Sequence, residues 1–151
     1  MAMTMNGEYE LAAPLQTVWE KLNDAATLKA CIPGCEQLDK TSDTEFQAVA
    51  TVKIGPVKAK FKGRVTLSDL DPPNGYKISG QGDGGVAGFA KGGATVKLAP
   101  KNGGTLLSYN VDAQIGGKLA QLGQRLVNGA AKKIADDFFA NFANAVNPKA
   151  V

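Results

Sequence analysis

The chain contains no histidine among its 151 residues. That removes the usual general base near neutral pH and the commonest metal ligand. A Cys-His or Ser-His nucleophile pair is impossible. Two cysteines, Cys31 and Cys35, bracket a proline-glycine turn. A redox pair or a peripheral metal clip is their functional reading. Buried structural thiols near a helix end is the favoured one, because free cysteine is among the most buried residue types. Without histidine they also make a poor zinc site, so no metal is expected. The remaining acid/base candidates are Tyr76, Tyr109 and an inward-turned Asp83, each of which needs a shifted pKa to serve. The glycine-rich stretch Gly82 to Gly88 lacks the strand-to-helix context and the Lys-Ser/Thr pair of a phosphate loop, and reads as a flexible connection. No catalytic residue is assigned.

A second group of residues has chemistry through charge. Lys53, Lys58, Lys60, Lys62 and Arg64 recur at period two around Ile54-Gly55-Pro56-Val57, which puts them on one face of a hairpin with Lys53 across from Lys58. One reading is a solvated strand made resistant to edge aggregation. The other is an anionic docking surface, for lipid headgroups or an acidic partner, which a nearby acidic strand would neutralise. No aromatic interleaves with these lysines and the net charge is only +3, so nucleic acid is not the expected partner.

These side chains need elements to hold them. From Lys118 to Val146 the residues Leu119, Leu122, Leu126, Ala130, Ile134, Phe138, Phe142 and Val146 recur every three or four positions, the stripe of one long amphipathic helix. Steps of four make the stripe wind about 40° each, which suits a helix crossing a twisted sheet or bent near Gly123 and Gly129. Phe139 falls off the stripe and either packs on the first strand or is an exposed contact point. Asn147-Pro148 is expected to end the helix. Upstream, Thr4 to Leu11 alternates as a half-buried strand, Pro14 opens a short helix carrying Val18, Trp19 and Leu22, and Ala25 to Ala30 forms a second with Leu28 inward. From Glu45 come about five antiparallel strands joined by hairpin-length turns, with a bulge expected at Gly92-Gly93. The architecture is α+β, a sheet closed over a helix.

On the inner face of that sheet fall Gly63, Gly80, Gly82 and Gly92, where a packed strand would carry valine or isoleucine. Curved sheets need glycine where they bend, and that explains any single one. The set leaves unfilled volume, which the pattern predicts to be an apolar cavity for a hydrophobic small molecule. The expected walls are Trp19, Leu28, Phe61, Gly63, Tyr76, Gly80, Phe89, Tyr109, Leu119, Leu122 and Leu126, with the two tyrosine hydroxyls orienting the guest.

The length fits a single domain spanning residues 1–151. No run approaches the roughly 20 apolar residues of a spanning helix. The first residues lack a secretory pattern, and two cysteines make no disulfide framework, so the expected location is cytoplasmic.

The segments Cys31-Ile32-Pro33-Gly34-Cys35-Glu36, Lys53-Ile54-Gly55-Pro56-Val57, Leu70-Asp71-Pro72-Pro73 and Ile115 to Gly123 together resemble the carbon monoxide dehydrogenase CoxG family, of the START-like, SRPBCC helix-grip superfamily. The resemblance implies seven antiparallel strands around a long C-terminal helix. It also implies an accessory protein, not the redox enzyme, of a molybdenum-containing CO dehydrogenase-type hydroxylase complex. By the same resemblance, it would help recruit the enzyme to the cytoplasmic membrane, with a quinone or other lipid-like molecule as the cavity guest. Many members extend into a membrane-attaching tail. Here only Lys149-Ala150-Val151 follow Pro148, so peripheral attachment at the inner face of that membrane would fall to the basic hairpin or Phe139. Two alternatives stand beside this carrier: a helix-grip enzyme of cyclase or dehydratase type, and a ligand-free interaction adaptor.

Overall fold

The computed structural model describes residues 1–146. Asn147-Pro148, expected to end the last helix, lie outside the described residues. Seven strands form one antiparallel sheet in the order β1-β7-β6-β5-β4-β3-β2. They are β1 (Ala2–Leu11), β2 (Cys35–Ser42), β3 (Glu45–Ile54), β4 (Val57–Asp71), β5 (Gly75–Asp83), β6 (Phe89–Lys101) and β7 (Gly104–Gly116). From β2 onward the sheet is a meander, while β1 pairs with β7. The first two strands are therefore opposite edges. The chain travels between them through α1 (Leu15–Leu22) and α2 (Ala25–Cys31).

Local chemistry sets these boundaries. Pro14 precedes α1 with extended backbone, and Asp24 caps α2 by accepting from the Thr27 amide at 3.2 Å. Ile54 pairs directly with Val57, so β3 and β4 meet through a two-residue turn at Gly55, whose φ is +56°. Asn102 and Gly103, at φ +49° and +80°, make the corresponding turn between β6 and β7.

Seven is the number of strands that the resemblance implies, although the residue pattern shows only six of them, and two other expectations need correction. A seventh strand, β2, leaves no mark in the patterning: Cys35–Ser42 is mostly exposed and only Leu38 packs on the core, so it lacks a clear apolar alternation. Gly92-Gly93 is no bulge, because β6 pairs with β5 and β7 in unbroken register there. The glycine instead permits close approach: a Cβ at Gly92 would run into the Asp112 carbonyl of β7. The stretch from Gly82 is not a loose loop either, since β5 runs to Asp83 and a single 3-10 turn, Gly85–Ala87, leads into β6.

The long helix is also two pieces, α3 (Lys118–Gln121) and α4 (Gln124–Val146), separated at Gly123 with φ +93°. The break resets the helical phase. Val127 takes the buried position, and Leu126 is 39% exposed beside the Gly55 turn. Farther along, Phe142 and Val146 are buried as the stripe requires, while Phe139, off the stripe, is buried and Phe138, on it, is only half-buried. Phe139 packs on the first strand, its ring 4.2 Å from that of Tyr9.

Candidate functional site

Strand register decides where the interior is full. One row across the inner face reads Ile115, Ala90, Gly82, Gly63, Ala48 from β7 to β3. The next reads Met3, Ala113, Gly92, Gly80, Val65, Phe46 from β1 to β3. The central strands thus present almost no side chain in two adjacent rows. Toward the other end of the sheet the inner face carries Leu67, Tyr76, Val96, Leu98, Leu107 and Tyr109, all buried. There Trp19 from α1 meets Tyr76 edge-on at 5.4 Å, and Phe139 stacks on Tyr109 at 5.3 Å.

Under the first turns of α4 the small residues leave a chamber of about 260 Å³. Its walls are Met3, Val52, Ile54, Phe61, Gly82, Ala90, Ile115, Leu119, Val127, Ala131 and Ile134. None of them is titratable, and none carries a polar side-chain atom other than the Met3 thioether. A Cβ on Gly82 would lie 3.9 Å from Phe61 Cδ1, ordinary contact, so the missing side chain there is empty space. At Gly63 the same atom would stand 2.9 Å from the Gln81 carbonyl, so there the glycine permits close approach of β4 and β5.

Of the expected wall residues, Phe61 and Leu119 line the chamber, and Leu122 packs against the same cluster. Trp19, Leu28 and Tyr76 lie in the filled core instead. Gly63 and Gly80 occupy the small-residue rows without lining the chamber. Phe89 faces the other way. It pairs with Asp83 and Gly116 on the outer parity, is 42% exposed, and lays its ring over Gly116. Leu126 is outside because of the break at Gly123. Val52, Ile54, Gly82 and Ile115 already have inward parity in the sequence; Val127 and Ala131 are hidden by the helix break.

The acid/base candidates sit poorly for proton transfer. Burial pushes the Tyr76 phenol well above its ordinary range. Asp83 is exposed on the outer face, where its carboxylate accepts from the Gly85 amide at 2.8 Å. At the open edge of β1, the Tyr9 hydroxyl donates to Asp136 at 2.6 Å, and burial followed by that bond raises the phenol pKa. Lys132, 2.6 Å away, and then Tyr9 hold the Asp136 carboxyl below the usual range. Cys31 and Cys35 are both free thiols, and burial pushes both up, the direction of inert side chains.

The basic face is partly neutralised. Lys60 pairs with Glu36 of β2 at 3.2 Å, reached across β3, and Arg64 with Glu45 of the neighbouring β3 at 3.0 Å. Lys53, Lys58 and Lys62 have no ion pair among the described residues. A concavity of about 790 Å³ lies on this outer face and is an open saddle bearing Lys62, Arg64, Gln81 and Asp83. It is not a chamber.

The family model for the CoxG component of carbon monoxide dehydrogenase matches residues 7–147. No curated protein matches the chain in sequence. Among solved structures, a conserved protein from Geobacillus kaustophilus is 34% identical, with 95% of each chain covered and a TM-score of 0.89. The ZhuI aromatase/cyclase from Streptomyces sp. R1128 superposes at TM-score 0.70 with 12% identity, over 97% of this chain and 94% of that one. Ara h 8.0201 does so at 0.68 and 12%, over 97% and 98%. The last two likenesses are of fold alone, the START-like helix-grip fold.

Proposed function

The chain belongs to the CoxG family, and from that premise we propose that it is a non-catalytic accessory carrier for a molybdenum-containing CO dehydrogenase-type enzyme. It holds an apolar, lipid- or quinone-like molecule beneath α4 and brings it between the membrane surface and its partner enzyme. The observation that carries this reading is the chamber of about 260 Å³ whose walls contain no ionisable group. Such a space gains from burying hydrocarbon and offers nothing to bind a charged substrate.

The rim supports exchange at a lipid surface. Val86, Phe89 and Leu126 are exposed, at 86%, 42% and 39%. They belong to the same end of the molecule: Leu126 overlies the Gly55 turn, and Gly88 and Gly117 are in close contact. Lys53 and Lys58 flank that turn. Apolar side chains with cations beside them suit the interface of an anionic bilayer. In the enzyme alternative Tyr76 would act from a filled core with a phenol shifted away from ionisation and Asp83 from the outer face, which leaves Tyr109; carriage is preferred because the chamber itself holds no ionisable group.

The test is native mass spectrometry and thermal unfolding with added quinones and fatty acids. A guest at about 100 times its Kd adds about 2.7 kcal/mol of stability. Absence of stabilisation by every apolar compound, together with empty protein from the native host, would sink the carrier. Sedimentation with anionic vesicles, lost in Val86→Asp/Leu126→Asp, checks the rim separately.

A further inference from the structure

The chamber has a neighbour. A trough of about 410 Å³ runs between the edge strand β1 and α4, and the two spaces share Met3 and Ala131. The chamber by itself is smaller than the about 300–1,000 Å³ of ordinary small-molecule sites, and the trough borders it along Met3 and Ala131. The two halves differ in chemistry. Where the chamber is lined by hydrocarbon, the trough adds Asn128, Lys132 and Asp136 from α4, with Tyr109 from β7.

The polar side of the trough is arranged for an acceptor. Asn128 Oδ1 accepts from Gln124 at 3.0 Å, which fixes the amide and leaves its nitrogen with no partner among the described residues. Lys132 is held by Asp136, so the cation is screened by an adjacent carboxylate. Glu8 adds a further negative charge to the lining. Gly7 leaves room for the Tyr109 ring: a Cβ there would come within 2.8 Å of its hydroxyl oxygen. A carboxylate or phosphate head would meet two acids and one already paired lysine. An uncharged oxygen would meet the Asn128 amide and the Tyr109 hydroxyl at no such cost.

We infer that the guest is an uncharged amphiphile. Its hydrocarbon part occupies the chamber, and a carbonyl or hydroxyl oxygen lies in the trough and accepts from Asn128. This rests on the chamber holding an apolar guest, and it adds the head chemistry and the side on which that head emerges.

Calorimetry with three probes of one chain length separates the two ideas: a methyl alkyl ketone, the matching carboxylate and the parent alkane. The ketone binds most tightly. Asn128→Ala weakens the ketone about five- to tenfold and leaves the alkane unchanged. Gly82→Leu, which fills the chamber, weakens all three; Gly82→Ala serves if the larger side chain impairs folding. Asn128 is exposed, so its variant keeps the fold, checked by an unchanged unfolding midpoint. A carboxylate bound as well as the ketone, or a ketone indifferent to both Asn128→Ala and Tyr109→Phe, overturns the head assignment while the chamber reading stands. Failure of all three probes to bind overturns both.

Discussion

One helix and one sheet make two unlike interiors. Toward the C-terminus of α4, the space is packed with rings: Phe142 is fully buried, Phe138 stacks on it at 5.7 Å, and Phe139 packs against both Tyr9 and Tyr109. Toward its N-terminus, the facing strand positions are Gly82, Ala90 and Gly63, and the helix contributes Val127 and Ala131. At the filled end α1 and α2 add Val18, Trp19, Leu22 and Cys31 to the core, while at the hollow end the helix breaks at Gly123 over strand positions with almost no side chain. The hollow is made by omission, and the aromatic end supplies the stability that lets the other end stay open.

The contrast breaks most sharply at Phe142. Phe142→Ala should cost about 3–5 kcal/mol in denaturant unfolding, because it empties a site with no slack. Equal losses from Ile134→Ala at the hollow end would show that the two ends are not different. The glycines sharpen it next. Gly92→Ala should destabilise by about 1–3 kcal/mol through its clash with the β7 backbone. Gly82→Ala should be neutral or stabilising by about 0.5–1 kcal/mol, since its methyl enters empty space.

Alkaline titration probes the filled core through Tyr76 and its border with the trough through Tyr9. Tyr76 and Tyr9 have phenols raised in the folded state, so their contribution is complete below the unfolded pKa of about 10 and is lost as pH rises above it. The unfolding midpoint should therefore drop from about pH 10 upward, and Tyr76→Phe should flatten the drop. The smallest effect belongs to the outer face. Breaking the exposed Arg64–Glu45 pair with Glu45→Ala should change stability by no more than about 1 kcal/mol and leave guest binding untouched.

Much of this division is readable from residue order. Alternation places Phe61, Gly82 and Ile115 on one face, and the glycine set points to unfilled volume. Three things escape such a reading. Period-two patterning has no voice where both faces are wet, so β2 is silent. A 3.6-residue period continues through Gly123 on paper, while the +93° φ there turns Leu126 out and Val127 in. Parity is lost across the 3-10 turn at Gly85–Ala87, which is why the pattern puts Phe89 on the wrong side of the sheet. The wall residues Trp19, Leu28 and Tyr76 do point inward, but inwardness does not say which end of a sheet a residue serves. That depends on register between strands far apart in sequence.

The pairing of β1 with β7 sets an order of assembly. Ala2 finds its partner at Gln114, so the first strand made has nothing to zip against until nearly the whole sheet exists. Met3, the residue shared by the chamber and its trough, arrives with that late strand. The meander β2–β7 can form first, but the wall between hydrocarbon and water is completed only when β1 adds to β7. A truncation that removes Ala2–Gly7 should therefore yield a domain that retains its aromatic end yet leaks its guest.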